Sequence, residues 1–173
     1  MKNCWHLSVH ETLGECCLLN ESNVLCIGTK YRLMVCDQSL RLDGLQVLVV
    51  DSDPDSRELL TMLLEEYGVE TIAATSALEA LEILQQVKPD LLICEIGLPK
   101  EDGYSLMHKV KVLETQEQVQ IPAIALTVYA SKDDRTHALS VGFEEHLPKP
   151  FDIEELIETV ACLTQHVQWV PTT

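Results

Sequence analysis

Residues 90–103, DLLICEIGLPKEDG, combine the pattern of a buried strand with a charged residue at its end. The apolar run Leu91–Cys94 is typical of a strand that is buried on both faces of a parallel sheet. Glu95 follows directly, and glycine, proline and an Asp-Gly pair then indicate a loop. The stretch therefore predicts a buried strand that ends in one carboxylate at the edge of a sheet.

Strands and helices alternate on both sides of this stretch. The predicted strands are Leu45–Val50, Val69–Ala74, Leu91–Cys94, Ile121–Leu126 and Glu145–Leu147. Helical segments follow them, and three open with capping residues, which are Asp53, Ser76 and Asp152; Ser131–Val141 is a further short helix. Such alternation implies a doubly wound α/β domain with a central parallel sheet.

Five polar residues follow the predicted strands, and they are Asp51, Ser52, Glu95, Thr127 and Lys149. The carboxyl ends of parallel strands meet at one edge of the sheet, where ligands of such folds bind. We therefore expect these five side chains to form one site.

The composition restricts the classes of function. The 173 residues carry a net charge of −16, and a surface this acidic repels phosphate backbones. No apolar run is long enough to span a bilayer, and the N-terminus lacks the pattern of a signal peptide. We expect a cytoplasmic protein that binds neither nucleic acid nor membranes directly.

Residues 1–43 differ from the rest by their weak periodicity and their cysteines, which are Cys4, Cys16, Cys17, Cys26 and Cys36. Val24–Ile27 and Tyr31–Val35 suggest a hairpin. Free thiols in a reducing cytosol explain the cysteines, because no C-x-x-C pair is present, although metal binding or redox sensing stays open. We divide the chain into a Cys-rich extension (1–43), an α/β domain (44–165) and a tail (166–173).

Residues 45–163 resemble the receiver domain of two-component signalling. The motifs that carry the resemblance are Val49-Val50-Asp51, Leu98-Pro99, Asp102-Gly103, Thr127 and Lys149-Pro150-Phe151. The resemblance implies a flavodoxin-like, five-stranded parallel sheet of order 2-1-3-4-5 with helices on both faces. It also implies a signalling module rather than an enzyme.

In receivers, an aspartate after the third strand accepts a phosphoryl group with the help of Mg²⁺. The resemblance places Glu95 at this acceptor position and Gly97 where a backbone carbonyl binds the metal. Asp51 matches the first acidic residue, and Ser52 stands where the second, metal-binding acid is usual. The implied metal ligands are thus Asp51, Glu95 and Gly97, in a weak or absent Mg²⁺ site, and we expect no other cofactor.

The remaining site residues match the switch of the family. Thr127 matches the hydroxyl that moves with the phosphoryl group, and His146 occupies the position of the coupled aromatic. Lys149 matches the lysine that contacts phosphoryl oxygens, and the bond before Pro150 is expected to be cis. We expect His146 to be a partly buried replacement for the aromatic, with a pH-sensitive switch as the alternative.

Two departures from the family pattern affect the same chemistry. Ser52 removes an anionic ligand, and the extra methylene of Glu95 displaces the acceptor carboxylate. Together they predict that phosphorylation is lost or much slowed. We also predict an ion pair between Glu95 and Lys149, which is either a fixed structural contact or a partial mimic of the phosphorylated state that reaches Thr127.

These features favour a stand-alone pseudo-receiver that acts through residues 131–163 on a histidine kinase, another signalling protein or a second copy. The alternative is a receiver that takes phosphate from a histidine kinase on Glu95 or Asp51. An enzyme on this scaffold is disfavoured because no glycine-rich phosphate loop is present. Cys94 and Cys162 are expected in the core, and His108 and His137 on the surface.

Overall fold

The computed structural model describes residues 42–128 and 131–164, together with three N-terminal strands. The chain divides into two compact units, Met1–Leu40 and Arg41–Thr173. In the first unit, β1 (His6–Val9), β2 (Cys16–Asn20) and β3 (Asn23–Cys26) form an antiparallel sheet in that order. β3 overlaps the first strand of the predicted hairpin and pairs with β2, whereas Tyr31–Val35 lies outside the described residues.

The second unit is a doubly wound sheet. Its strands are β4 (Gln46–Val50), β5 (Glu70–Ala74), β6 (Leu91–Glu95), β7 (Ala123–Thr127) and β8 (Glu145–Pro148). Its helices are α1 (Pro54–Glu66), α2 (Ala77–Leu84), α3 (Gly103–Glu117), α4 (Lys132–Val141) and α5 (Ile153–Thr164). All strands are parallel in the order β5-β4-β6-β7-β8, which confirms the predicted order 2-1-3-4-5.

The three inner strands form the centre of the core. Every residue of β6 and β7 is buried, as is all of β4 after Gln46. This explains why these strands are continuous apolar runs rather than alternating ones. The unit also includes Leu42, which is fully buried and whose N–H donates to the carbonyl of Tyr67.

Local signals fix the ends of the helices. The side chains of Asp53, Ser76, Asp102 and Ser131 each accept a hydrogen bond from a backbone N–H in the first turn of the helix that follows. Because these caps satisfy free N–H groups, α1 and α2 begin directly after the predicted capping residues Asp53 and Ser76. α4 ends at Gly142, whose positive φ of 120° suits glycine.

The two described free cysteines differ in environment. Cys94 on β6 is fully buried, as predicted. The prediction that Cys162 lies in the core is wrong, because its side chain is exposed on α5. The buried side of α5 is formed by Leu156, Ile157, Val160 and Ala161, and the helical turn carries the next residue away from the sheet. In the described part of the chain, no helix is both long and apolar enough to cross a membrane.

Candidate functional site

The ends of the parallel strands bring four of the predicted polar residues to one edge of the sheet. Glu95 and Thr127 are the last residues of β6 and β7, and Asp51 and Lys149 follow β4 and β8 directly. Asp51, Glu95 and Thr127 are buried. The N–H of Lys149 donates to the carbonyl of Thr127 at 2.7 Å, which fixes the backbone of the lysine beside β7.

Lys149 binds both carboxylates of this edge. Its Nζ lies 2.6 Å from Asp51 Oδ2 and 2.7 Å from Glu95 Oε2. The side chain of Lys149 is 17% exposed, and those of Asp51 and Glu95 are 4% and 10% exposed. The predicted ion pair between Glu95 and Lys149 is therefore confirmed, and Asp51 shares the same ammonium group.

The second oxygen of each carboxylate is held by the backbone. Glu95 Oε1 accepts a hydrogen bond of 2.8 Å from the N–H of Gly97, and Asp51 Oδ1 accepts one of 2.9 Å from the N–H of Asp53. The side chain of Glu95 thus turns back onto its own loop. All four carboxylate oxygens have partners within the protein, which is what two buried anions require.

The charges of this cluster explain the ionisation of the lysine. Burial alone lowers the pKa of Lys149, but the hydrogen bonds and negative charges of Asp51 and Glu95 outweigh it, so its pKa is raised above the ordinary value. The lysine is therefore positively charged at neutral pH. With both carboxylates ionised, the cluster carries a net charge of −1.

The start of α3 lies against the backbone of Glu95. A Cβ added to Gly103 would lie 2.8 Å from the carbonyl oxygen of Glu95 and 2.9 Å from the Cα of Ile96, so this position has no space for a side chain. The same carbonyl accepts a hydrogen bond from the thiol of Cys94, at 3.1 Å. Burial, and then the charges of nearby carboxylates, raise the pKa of this thiol, which keeps it protonated as a donor.

Ser52 and Asp53 have different surroundings from Asp51. Both are exposed, and Asp53 accepts hydrogen bonds from the N–H groups of Asp55 and Ser56 as the cap of α1. The prediction that Asp53 is a helix cap is confirmed. At the position of Ser52, the site has a neutral hydroxyl group on the surface.

The oxygen atoms of this site fit a Mg²⁺ ion poorly as ligands. Mg²⁺ prefers an octahedral set of hard oxygen ligands, usually with one or two free carboxylates. Here the oxygens of Asp51 and Glu95 already accept hydrogen bonds from Lys149, Gly97 and Asp53. Among the side chains that the structure describes, no group of three His, Cys, Asp or Glu residues could hold a metal ion.

The two predicted switch residues are buried beneath this edge. Thr127 is 1% exposed and His146 is 4% exposed. His146 lies opposite Ala125 of β7, and no described residue is a hydrogen-bond partner of its Nε2. His146 was predicted to be partly buried in the place of an aromatic, and it is more deeply buried than that. The peptide bond before Pro150 is cis, as the resemblance implies.

Two contacts near the site were not predicted. Arg57 Nη1 donates to the carbonyl of Asp51 at 2.6 Å and so joins α1 to the end of β4. The ring of His137 on α4 stacks on that of Tyr104 on α3, with 4.3 Å between the ring centroids. His108 and His137 are exposed, as predicted, but no sequence signal indicated that His137 contacts α3.

Comparison with known proteins agrees with this geometry. Residues 47–161 match the model of the response regulator receiver domain family. The chain belongs to this family. The receiver is 44% identical over 119 residues to the 14.6 kDa protein of the sodA1 3′ region of Leptolyngbya boryana, with 69% of this chain and 89% of that protein covered.

A named response regulator and a solved crystal structure are also similar to the receiver region of this chain. The receiver is 33% identical over 114 residues to the polar-differentiation response regulator DivK of Brucella ovis, which covers 66% of this chain and 91% of DivK. A crystal structure of a putative response regulator from Chloroflexus aurantiacus superimposes with a TM-score of 0.65 at 30% identity, covering 70% of this chain and 98% of that one. The fold is thus that of receivers.

Proposed function

We propose that this receiver is a pseudo-receiver: a protein-interaction module of two-component signalling in which phosphoryl acceptance is lost or much slowed. The observation that carries the proposal is the position of Lys149, which binds Asp51 and Glu95 at the same time. The acceptor-position carboxylate is therefore held in an internal ion pair. We propose no enzymatic activity and no cofactor, with weak Mg²⁺ binding at most.

Phosphoryl transfer depends mainly on positioning and on neutralising charge. Glu95 is held by Lys149 on one oxygen and by the N–H of Gly97 on the other, so attack on phosphorus requires breaking at least one of these contacts. Ser52 supplies no charge to hold a metal ion in compensation. The held carboxylate and the missing metal ligand both raise the activation barrier for phosphoryl transfer.

A fixed site suits a module that acts by binding. One positive and two negative charges in close contact hold the strand ends without a phosphoryl group, although Glu95 supplies only part of the charge of a phosphoryl group. We propose that the output passes through residues 131–163, a face that exposes Leu139 and Ile153 at 39% and 42%. The partner would be a histidine kinase or another cytoplasmic signalling protein. Self-association through this face is the alternative.

Intact mass measured after incubation with acetyl phosphate and Mg²⁺ tests the proposal. We expect no phosphoryl adduct on the native chain or on Glu95→Gln, and an adduct on the double variant Ser52→Asp/Glu95→Asp, which restores both acids. Glu95→Asp alone separates the effect of side-chain length from that of the missing metal ligand. An adduct on the native chain that Glu95→Gln removes would contradict the proposal.

A phosphorylatable receiver is the second candidate. It is favoured by the retained Asp51, Thr127 and Lys149, all of which lie at the expected edge of the sheet. An adduct on the native chain that persists in Glu95→Gln but disappears in Asp51→Asn would assign the acceptor to Asp51. Such a receiver also needs Mg²⁺, so the adduct would disappear when the metal ion is chelated.

A further inference from the structure

An aromatic contact joins α3 to α4 beside the site. The rings of Tyr104 and His137 are 4.3 Å apart between centroids and inclined by 30°. Phe143, in the connection between α4 and β8, meets the ring of Tyr104 edge-on at 6.5 Å and 74°. Tyr104 is half-buried and His137 is exposed, so solvent reaches the imidazole while it covers the tyrosine ring.

Tyr104 is also tied to the loop that follows Glu95. Its neighbour Gly103 packs without space for a Cβ against the backbone of Glu95 and Ile96, and the N–H of Gly103 donates to the carbonyl of Ile96 at 2.9 Å. Asp102 caps α3 by accepting from the N–H of Ser105 at 2.8 Å. The tyrosine therefore connects a rigid part of the site to α4.

The charged groups around the stack are mainly acidic. Asp102 and the histidine of α3, His108, lie near it on one side, and Asp134 lies near it on α4. Burial, followed by the charges of Asp134 and Asp102, raises the pKa of Tyr104. On the side of Phe143, Lys111 pairs with Glu114 and Glu144 at 3.0 and 3.6 Å, so this lysine is occupied by carboxylates.

We propose that the stack of His137 on Tyr104 is a proton-responsive clamp that holds α4 against α3. A protonated imidazole over a tyrosine ring gains a cation–π attraction, and here it also gains attraction from Asp102 and Asp134. The neutral imidazole keeps the stacking but loses both attractions. Because α4 forms part of the face at residues 131–163, acidification would make that face more rigid, a consequence that rests on the proposed function.

Thermal unfolding at pH 5.5 and pH 8.0 tests the clamp. His137→Phe keeps an aromatic ring on Tyr104 but cannot take up a proton, so it separates charge from stacking. We expect the difference in Tm between the native chain and His137→Phe to be larger at pH 5.5 than at pH 8.0 by about 2 °C or more. The matched control is His108→Phe: His108 also lies near Asp102 but is not part of the stack, so its dependence on pH should be smaller.

Hydrogen exchange gives a local measurement on the native chain itself. After correction for intrinsic exchange rates, amides of α4 should be more protected at pH 5.5 than at pH 8.0, and Tyr104→Leu should remove the difference. Equal Tm differences at both pH values, or unchanged protection of α4, would overturn the clamp. Phosphorylation is absent from both measurements, so failure of the clamp is distinguishable from failure of the proposed function.

Discussion

Replacing Lys149 with methionine should leave two buried carboxylates without their cation. The ammonium group lies 2.6 Å from Asp51 Oδ2 and 2.7 Å from Glu95 Oε2, so these two oxygens are at most about 5 Å apart. Two unit charges at that separation repel by roughly 3 kcal/mol at an effective dielectric constant of 20. Breaking a buried ion pair by removing one partner typically costs about 3–5 kcal/mol. We expect Lys149→Met to lose a similar amount of unfolding free energy.

Urea unfolding at pH 7.5 measures this loss. Lys88→Met is a matched control, because Lys88 pairs with Glu117 at 2.9 Å but is 57% exposed, and such surface pairs contribute about 0–1 kcal/mol. The double variant Glu95→Gln/Lys149→Met should recover part of the loss, since it removes the repulsion. At pH 5.0 the loss in Lys149→Met should shrink, because protons can replace the missing charge.

A loss in Lys149→Met no larger than in Lys88→Met would refute this reasoning. It would mean that the two carboxylates of the site are well enough hydrated, or far enough apart in solution, to need no cation. An unchanged loss in Glu95→Gln/Lys149→Met would refute the assigned repulsion while leaving the importance of Lys149 itself intact.

Three further outcomes are expected. The pKa of Lys149 is raised in the folded state, so its stabilising effect should be complete below the ordinary lysine value of about 10.4 and should be lost as the pH rises through the raised value. Unfolding of the native chain and of Lys149→Met at alkaline pH would measure this loss. Alkylation at pH 8 with peptide mapping should label exposed Cys162 and leave Cys94 unmodified; equal labelling would contradict the buried, protonated thiol. His146→Phe should raise the unfolding free energy by about 1 kcal/mol in a denaturant titration, since it removes a buried nitrogen without a described partner, and a loss would show that this nitrogen has one.

The sequence predicted the fold well because its signals are local and agree with one another. Continuous apolar runs identify β4, β6 and β7, and capping residues such as Asp53 and Ser76 mark where helices begin. The convergence of the site residues followed from topology alone, since the carboxyl ends of parallel strands share one edge. The ion pair of Glu95 with Lys149 followed from charge at that edge.

Features that depend on side-chain rotamers or on the packing of helices could not be predicted from the sequence. That Glu95 returns to the N–H of Gly97 depends on a rotamer that one sequence does not specify. Cys162 was placed in the core because its residue type is commonly buried, whereas the rotation of α5 exposes it. The contact of His137 with Tyr104 arises from the packing of α4 on α3.

The contact between Lys149 and Asp51 joins residues that are 98 positions apart along the chain. Closing such a loop costs entropy that contacts made later must offset, so we expect this contact to form late during folding. Interactions that are absent from the transition state slow the loss of the native state more than they speed its formation. We therefore expect the ion pair of Lys149 with Asp51 to slow unfolding by joining the ends of the first and last strands of the receiver, which would lengthen the lifetime of the folded molecule.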